Sequence, residues 1–212
     1  MRNWLLDLLF PPKCVFCGKI LQDPDAGYCL NCLENLPETD RKKHVPNTSG
    51  CVAPFLYKGV VREALLRYKF GNRSFYAEVF GPMIAAKLRR TEADFVTWVP
   101  VSRRRRFSRG YDQAQLLAEH TAKALKLPCV CTLRKRHTKR QSELDGLDAR
   151  KANINGAFTV IDRTLVDGKT VILIDDICTT GATMAEAALV LHRAGTSEVC
   201  GAVFALTDKK NR

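Results

Sequence analysis

The chain has 212 residues, of which 46% are apolar, and it carries a formal charge of +12. A chain of this length buries about 70% of the surface that its unfolded form exposes, which is enough for one core and a small appendage. This composition excludes a disordered tail. No apolar run approaches the roughly 20 residues of a membrane span, so we expect no membrane insertion.

Residues 1–13 contain a short apolar patch that Asp7 interrupts, and no small-residue cleavage site follows it. This pattern differs from that of a secretion signal. We therefore expect an amphipathic helix that packs on the body of a cytoplasmic protein.

Four of the nine cysteines form two C-x-x-C pairs near the start of the chain. Cys14 and Cys17 make the first pair, and Cys29 and Cys32 follow after eleven residues. Each pair aims two sulfurs at one point, and four thiolates complete the closed tetrahedral site of a structural zinc ion. A redox-active or merely reduced set of cysteines is the alternative. The spacing predicts a four-cysteine zinc ribbon, in which the metal supplies most of the folding free energy of so short a segment.

A polar stretch broken by Pro and Gly predicts a domain boundary near residue 45. Residues 1–45 then hold the helix and the zinc ribbon, and residues 46–212 form a second domain. Apolar periodicity in the second domain predicts, in chain order, a strand at 51–57, helices at 60–70 and 75–90, strands at 95–100 and near 128–133 separated by a helix at 111–127, a strand at 171–174, a helix at 181–194 and a strand at 198–206. Such alternation predicts an α/β domain with a mainly parallel sheet flanked by helices.

The stretch VILIDDICTTGAT, residues 171–183, ends a buried strand on two adjacent acids and continues into a run of small residues. Ligands of open parallel sheets bind at the carboxyl ends of the strands, where Asp175 and Asp176 fall. The following loop offers consecutive backbone N–H groups and hydroxyls at the start of a helix, which is an arrangement that binds phosphate. Ribose hydroxyls together with a magnesium ion satisfy two neighbouring carboxylates. The pattern therefore predicts a site for a phosphorylated ribose.

The positive charge is concentrated between Arg103 and Lys151, where 14 Lys and Arg stand against 5 Asp and Glu. This concentration favours a polyanionic partner such as pyrophosphate or a nucleic acid. A solvated basic face is the alternative. Aromatic residues alternate with the first arginines at Phe107 and Tyr111, which is typical of single-strand binding surfaces, although aromatic side chains also pack in cores.

The stretch at 171–183 resembles the signature of type I phosphoribosyltransferases, which bind 5-phosphoribosyl-1-pyrophosphate (PRPP) with Mg²⁺. The resemblance implies that Asp175 and Asp176 are the catalytic acids that contact the ribose hydroxyls. It also implies that the basic segment from Arg134 to Arg150 is the hood loop that excludes water. The residues expected to hold the phosphate and pyrophosphate are Thr179, Thr180, Gly181, Ala182, Thr183, Ser102 and Arg103. The family usually has an aliphatic residue where Cys178 stands.

Taken with the cysteine ribbon, two further stretches make nearly the whole chain similar to the competence protein F (ComF) family. The matching residues are Arg109, Gly110, Gln113, Ala114, Arg136, Thr138, Gln141, Leu144, Arg150, Asn153, Ala157 and Phe158. Tyr111 and Asp112 replace a more usual Phe-Asn pair, so the role of the amide is open. The resemblance implies binding of PRPP with magnesium and of single-stranded DNA, in DNA uptake during natural transformation. The arginines expected to contact DNA are Arg104, Arg105, Arg106, Arg109 and Arg136.

Two other functions remain open on the sequence. The chain is an active phosphoribosyltransferase of nucleotide metabolism with an unidentified acceptor, or a scaffold whose ribbon docks proteins of the DNA-uptake machinery. Oxopurine salvage enzymes that resemble this motif carry a third acid where Thr179 stands. A threonine cannot serve as that base, so hypoxanthine or guanine salvage is disfavoured.

Overall fold

The computed structural model describes residues 11–23, 25–135 and 156–208. The helices are α1 (Leu30–Glu34), α2 (Gly59–Phe70), α3 (Tyr76–Lys87), α4 (Arg103–Arg109), α5 (Gln113–Leu125) and α6 (Ala182–Arg193). The strands are β1 (Cys51–Val52), β2 (Phe55–Leu56), β3 (Phe95–Trp98), β4 (Leu133–Lys135), β5 (Phe158–Val160), β6 (Thr170–Cys178) and β7 (Glu198–Leu206). The helix expected at the start of the chain lies outside the described residues. Within them, no helix has both the length and the apolar character to cross a bilayer.

The central sheet is parallel and has the order β1-β7-β6-β3, with β2 also paired to β7. Successive side chains of a strand point to opposite faces of the sheet. In β6, Ile172 and Ile174 face the core that contains α2, α3 and α5, whereas Val171 and Leu173 face the core that contains α6. The predicted α/β sheet flanked by helices is confirmed.

Helices α3 and α5 pack closely on one face of the sheet. A Cβ at Gly81 would lie 2.4 Å from the Cβ of His120, so only glycine permits this approach. The hydroxyl of Thr121 donates to the Gly81 carbonyl across the same contact, at 3.2 Å. Helix α3 continues without a break through Gly81 and Pro82.

The cysteine-rich segment packs on this same face through Phe16. The Phe16 ring is fully buried and lies 6.2, 6.0 and 6.5 Å, between ring centroids, from Phe55, Phe80 and Phe204. The Arg67 guanidinium donates to the carbonyl of Phe16 at 2.5 Å. The segment and the sheet therefore share one core.

Two elements differ from the sequence prediction. The strand predicted near 128–133 is reduced to an isolated parallel bridge between Val96 and Cys129, and β4, which begins at Leu133, pairs antiparallel with β5 outside the main sheet. Cys129 and Cys131, which lie in the stretch predicted as a strand, are exposed. The arginine-rich stretch after β3, which carried no helix prediction, forms α4. Repeated arginines have good helix propensity but lack the apolar periodicity on which the prediction depends.

Candidate functional site

The two acids of the candidate site lie within strand β6, near its carboxyl end. The ladder to β7 continues through Asp175, which pairs with Val203, and on to Cys178. Because neighbouring residues of a strand face opposite ways, the two carboxylates do not point in the same direction. The Asp175 carboxylate accepts a hydrogen bond from the backbone N–H of Asp176 at 2.8 Å. The strand thus fixes both acids rigidly.

Asp176 forms an ion pair with Lys69, which lies one residue before the end of α2. The ammonium is 2.9 Å from a carboxylate oxygen, and the two side chains are 18% and 14% exposed. No local pattern in the sequence indicated this residue, since Lys69 is an ordinary cation in a helix far earlier in the chain. The pair supplies the positive charge that two adjacent carboxylates require.

Burial, together with the negative charge of Asp176, raises the pKa of Asp175 to about 8, whereas Lys69 acts in the opposite direction. At neutral pH this carboxyl group holds a proton that a solvated aspartate has lost. A carboxyl group with such a pKa takes up or releases a proton near physiological pH. A bound cation would favour its ionised form.

The loop that follows β6 ends at Gly181, which is the N-cap of α6 and has a φ of +84°. A Cβ at this position would lie 2.9 Å from Cγ2 of Val45, so both the backbone angle and the space require glycine. The side chains of Thr179 and Thr180 are exposed, and the Thr180 hydroxyl accepts from the Ala182 N–H at 3.3 Å. Together with Thr183 they line a small depression next to Asp175. The start of α6 is thus open to an anion.

Residues far away in the sequence hold this loop in place. The Lys43 ammonium donates to the carbonyl of Thr179, across 136 residues of chain. The Thr207 hydroxyl lies within 3.4 Å of the carbonyl of Cys178 and within 3.3 Å of that of Thr179. Lys43 and Thr207 had no signal in the sequence, because neither belongs to a motif.

The segment after β3 is fixed by Asp112, the N-cap of α5. Its carboxylate accepts from the backbone N–H of Val101 at 3.0 Å and of Gln115 at 3.3 Å. Ser102 and Arg103 lie between these anchors, at the start of α4. Since β3 is the parallel neighbour of β6, this segment and the acid pair both lie at the edge of the sheet where the strands have their carboxyl ends. An aspartate therefore performs a capping role at the position where the ComF pattern has an amide.

The two aromatic residues of the arginine-rich segment have different environments. Phe107 is 93% exposed. Tyr111 packs on Tyr68, with 5.6 Å between ring centroids, and its hydroxyl donates to the Tyr68 carbonyl. The arginines expected to contact DNA are only partly placed: Arg106 is exposed on α4, whereas Arg136 and the side chains of Arg104 and Arg105 lie outside the described residues. The expected hood loop also lies mostly outside them.

The four cysteines of the two C-x-x-C pairs converge. Their sulfur atoms all lie within 4.8 Å of one another. The sulfurs of Cys17 and Cys29 are 3.8 Å apart, and Zn–S bonds of about 2.3 Å require a tetrahedron edge of about 3.8 Å. The donor set and its spacing therefore fit zinc, as the sequence predicts.

The pKa values of these thiols differ with their surroundings. Burial raises the pKa of Cys17 and of Cys32. Burial acts in the same direction on Cys14, but backbone N–H donors outweigh it and lower its pKa to about 7. Four thiolates at this separation repel each other, and a divalent cation at their centre removes that repulsion.

Comparison with known proteins gives two domain matches and several relatives. Residues 5–44 match a double zinc ribbon domain, and residues 112–212 match a phosphoribosyl transferase domain. Competence protein F of Haemophilus influenzae is 30% identical over 200 residues, which cover 89% of this chain and 82% of that protein. DNA utilization protein YhgH of Escherichia coli K12 is 28% identical, over 81% and 74% of the two chains. Competence protein ComFC of Streptococcus pneumoniae is 24% identical, over 88% and 96%.

Among solved structures, a glutamine PRPP amidotransferase of B. subtilis, complexed with ADP and GMP, has a TM-score of 0.44 at 25% identity. The match covers 61% of this chain and 26% of the amidotransferase chain, so the chain spans about a quarter of that protein.

A parallel sheet flanked by helices, a phosphoribosyl transferase domain match and a cluster of four cysteines define a phosphoribosyltransferase-like protein with an amino-terminal zinc ribbon. Similarity to competence protein F extends over most of both chains. The chain belongs to the ComF family.

Proposed function

We propose that this protein binds PRPP with magnesium at the carboxyl end of β6, binds single-stranded DNA on the adjacent arginine-rich surface, and acts in the cytoplasm in DNA uptake during natural transformation. One observation carries the PRPP part: a fixed acid pair lies next to a loop whose Gly181 opens the start of α6 to an anion. The names of the Haemophilus, Escherichia and Streptococcus relatives, which refer to competence and DNA utilization, support the DNA part.

In the proposed complex the carboxylates of Asp175 and Asp176 accept hydrogen bonds from the ribose hydroxyls. The loop residues donate backbone N–H groups and hydroxyls to the 5-phosphate. Magnesium, where bound, neutralises charge on the pyrophosphate and prefers the oxygen ligands that the acids offer. We expect Ser102 and Arg103, at the start of α4, to contact the pyrophosphate. Proteins of the DNA-uptake machinery are the proposed partners of the ribbon.

Calorimetric titration of magnesium and PRPP into the protein tests the PRPP part. We expect binding by the wild type and its loss in Asp175→Asn. Glu198→Gln is the matched control, because it removes one negative charge from the exposed start of β7, at the opposite end of the sheet. Absence of binding in the wild type, or equal binding in Asp175→Asn, would contradict the proposal.

A second candidate function is phosphoribosyl transfer to an unidentified acceptor. It is favoured by the match of residues 112–212 to a phosphoribosyl transferase domain. Release of pyrophosphate from PRPP in the presence of candidate acceptor bases tests this function. Binding without release for every base tried would leave PRPP as a bound ligand only.

A further inference from the structure

A cavity of about 460 Å³ opens between the end of α2 and the end of α4. It is lined by Lys69, Phe70, Asn72, Ser108, Arg109 and Gly110. The cavity is distinct from the phosphate loop after β6, none of whose residues lines it. Its size falls within the range of about 300–1,000 Å³ that is usual for small-molecule sites.

The cavity contains an exposed aromatic ring with a guanidinium lying over one of its faces. Phe70 is 69% exposed at the last position of α2. The central guanidinium carbon of Arg109 lies 4.9 Å from the centroid of this ring. Arg109 also donates to the side-chain oxygen of Gln113 at 2.9 Å, which fixes the plane of the guanidinium without neutralising its charge. Nucleobases stack on such aromatic and guanidinium surfaces.

The charge of the cavity favours an anion. The described lining residues include two cations: Lys69 is paired with Asp176, whereas Arg109 donates to the neutral amide of Gln113 and keeps its positive charge. Lys69 lines the cavity and also contacts Asp176 through its ammonium, so the cavity adjoins the acid pair of β6. Arg73 follows in the turn after α2, with its guanidinium carbon 6.0 Å from the ring centroid of Phe75. A ligand with a flat ring and a negative group matches this combination.

We propose that this cavity binds one nucleotide of single-stranded DNA, with the base stacked on the exposed ring of Phe70 and a phosphate near Arg109. The inference rests on the proposed function, from which it takes the single strand as ligand, and it adds a base-stacking contact at Phe70 to Arg109, which the sequence already predicts to contact DNA. Phe70, Lys69 and Arg109 come from two segments that only the fold brings together. A strand held here passes beside the phosphoribosyl site.

Fluorescence anisotropy with two probes tests the inference. One probe is a labelled oligothymidylate of about 15 nucleotides, and the other has the same length and backbone but no bases. We expect Phe70→Ala to weaken binding of the oligothymidylate about tenfold, because stacking on one aromatic ring is lost, and to leave binding of the abasic probe unchanged. Phe75→Ala is the matched control, since Phe75 is an aromatic residue that is 49% exposed, does not line the cavity and lies outside the arginine-rich surface.

Each alternative outcome is distinguishable. Unchanged binding of the oligothymidylate by Phe70→Ala, or equal losses for both probes, would overturn the inference while leaving DNA binding in place. A wild type that binds neither probe would contradict the DNA part of the proposed function as well. If Phe70→Ala weakens calorimetric binding of magnesium and PRPP, the cavity belongs to the phosphoribosyl site and the inference is wrong. A melting temperature of Phe70→Ala equal to that of the wild type confirms that the variant folds.

Discussion

The Lys69 ammonium lies 2.9 Å from a carboxylate oxygen of Asp176, with both side chains more than four-fifths buried. This ion pair joins the end of α2 to the end of β6. A helix that lies far from residues 171–183 in the sequence therefore supplies the positive charge next to the acid pair. The partner of Asp176 is determined by the fold and has no counterpart in the local sequence.

Breaking this ion pair from one side should destabilise the protein. We expect Lys69→Met to lower the free energy of unfolding by about 1–3 kcal/mol, because it leaves Asp176 partly buried without its cation. Denaturant unfolding measures the change.

The double variant Lys69→Met/Asp176→Asn is the control for this prediction. It removes both charges, so we expect it to be more stable than Lys69→Met alone. A stability loss in the double variant equal to the sum of the losses in Lys69→Met and Asp176→Asn would contradict a direct interaction between the two side chains.

The raised pKa of Asp175 predicts a stability difference that depends on pH. Between about pH 4 and pH 8 the folded protein holds a proton on this carboxyl group that the unfolded chain has released, so stability falls as the pH rises. Asp175→Asn removes this effect. We expect the stability of the variant, relative to the wild type, to increase across this window by at most about 1.4 kcal/mol per pH unit.

Denaturant unfolding of both proteins at several pH values measures the difference. Glu198→Gln, which removes an exposed carboxylate, should show a nearly constant difference from the wild type over the same window. A constant difference for Asp175→Asn would show that its carboxyl group titrates as in water.

The geometry of the loop that follows β6 predicts that one methyl group added at Gly181 reduces both stability and ligand binding. Gly181→Ala should destabilise the protein by about 1–2 kcal/mol, because alanine disfavours a positive φ. The close contact of the added Cβ with Val45 should destabilise the protein further. It should also weaken PRPP binding, measured by calorimetry. Gly168→Ala is the control: Gly168 has a φ of +67° and no atom within 4 Å of the added Cβ. Equal effects of both variants on ligand binding would contradict a specific role for Gly181.

Zinc removal should destabilise the sheet domain as well as the ribbon. The ribbon contributes Phe16 to the shared core, and Val45 packs against the phosphate loop. We expect a strong chelator to lower the melting temperature by about 10 °C, since loss of one buried phenylalanine costs about 3–5 kcal/mol. Phe16→Ala, with its zinc content unchanged by a metal assay, should show a similar decrease. Two separate transitions, the higher one unaffected by chelation, would show that the segments fold independently.

The salt dependence of single-stranded DNA binding should show how many arginines of α4 pair with phosphates. Each arginine that pairs with a phosphate of single-stranded DNA adds about −0.7 to the slope of log affinity against log salt. Replacing Arg103–Arg106 by alanine should flatten that slope and weaken binding. The control removes four exposed arginines elsewhere, Arg89, Arg90, Arg163 and Arg193. An unchanged affinity in the α4 variant would contradict the predicted DNA contact.

Much of the fold follows from the sequence because the signals are local. Apolar periodicity predicts α2, α3, α5 and α6, and the buried run at 171–174 predicts the centre of β6. The strand continues to Cys178, because pairing with β7 carries the ladder past the acids. Helix α4 and the pairing of β4 with β5 were missed, since arginine runs and short strands carry little periodicity.

The sequence by itself determined the zinc ligands and the order of acids and loop at the end of β6, because each set lies within a few residues of chain whose local geometry is restricted. Only the tertiary structure decided what surrounds them. Lys69 pairs with Asp176, Lys43 and Thr207 hold the loop after β6, and Phe16 joins the ribbon to the core of the sheet. These contacts join residues far apart in the chain, so they follow from the packing of helices and ribbon on the sheet and not from the spacing of any motif.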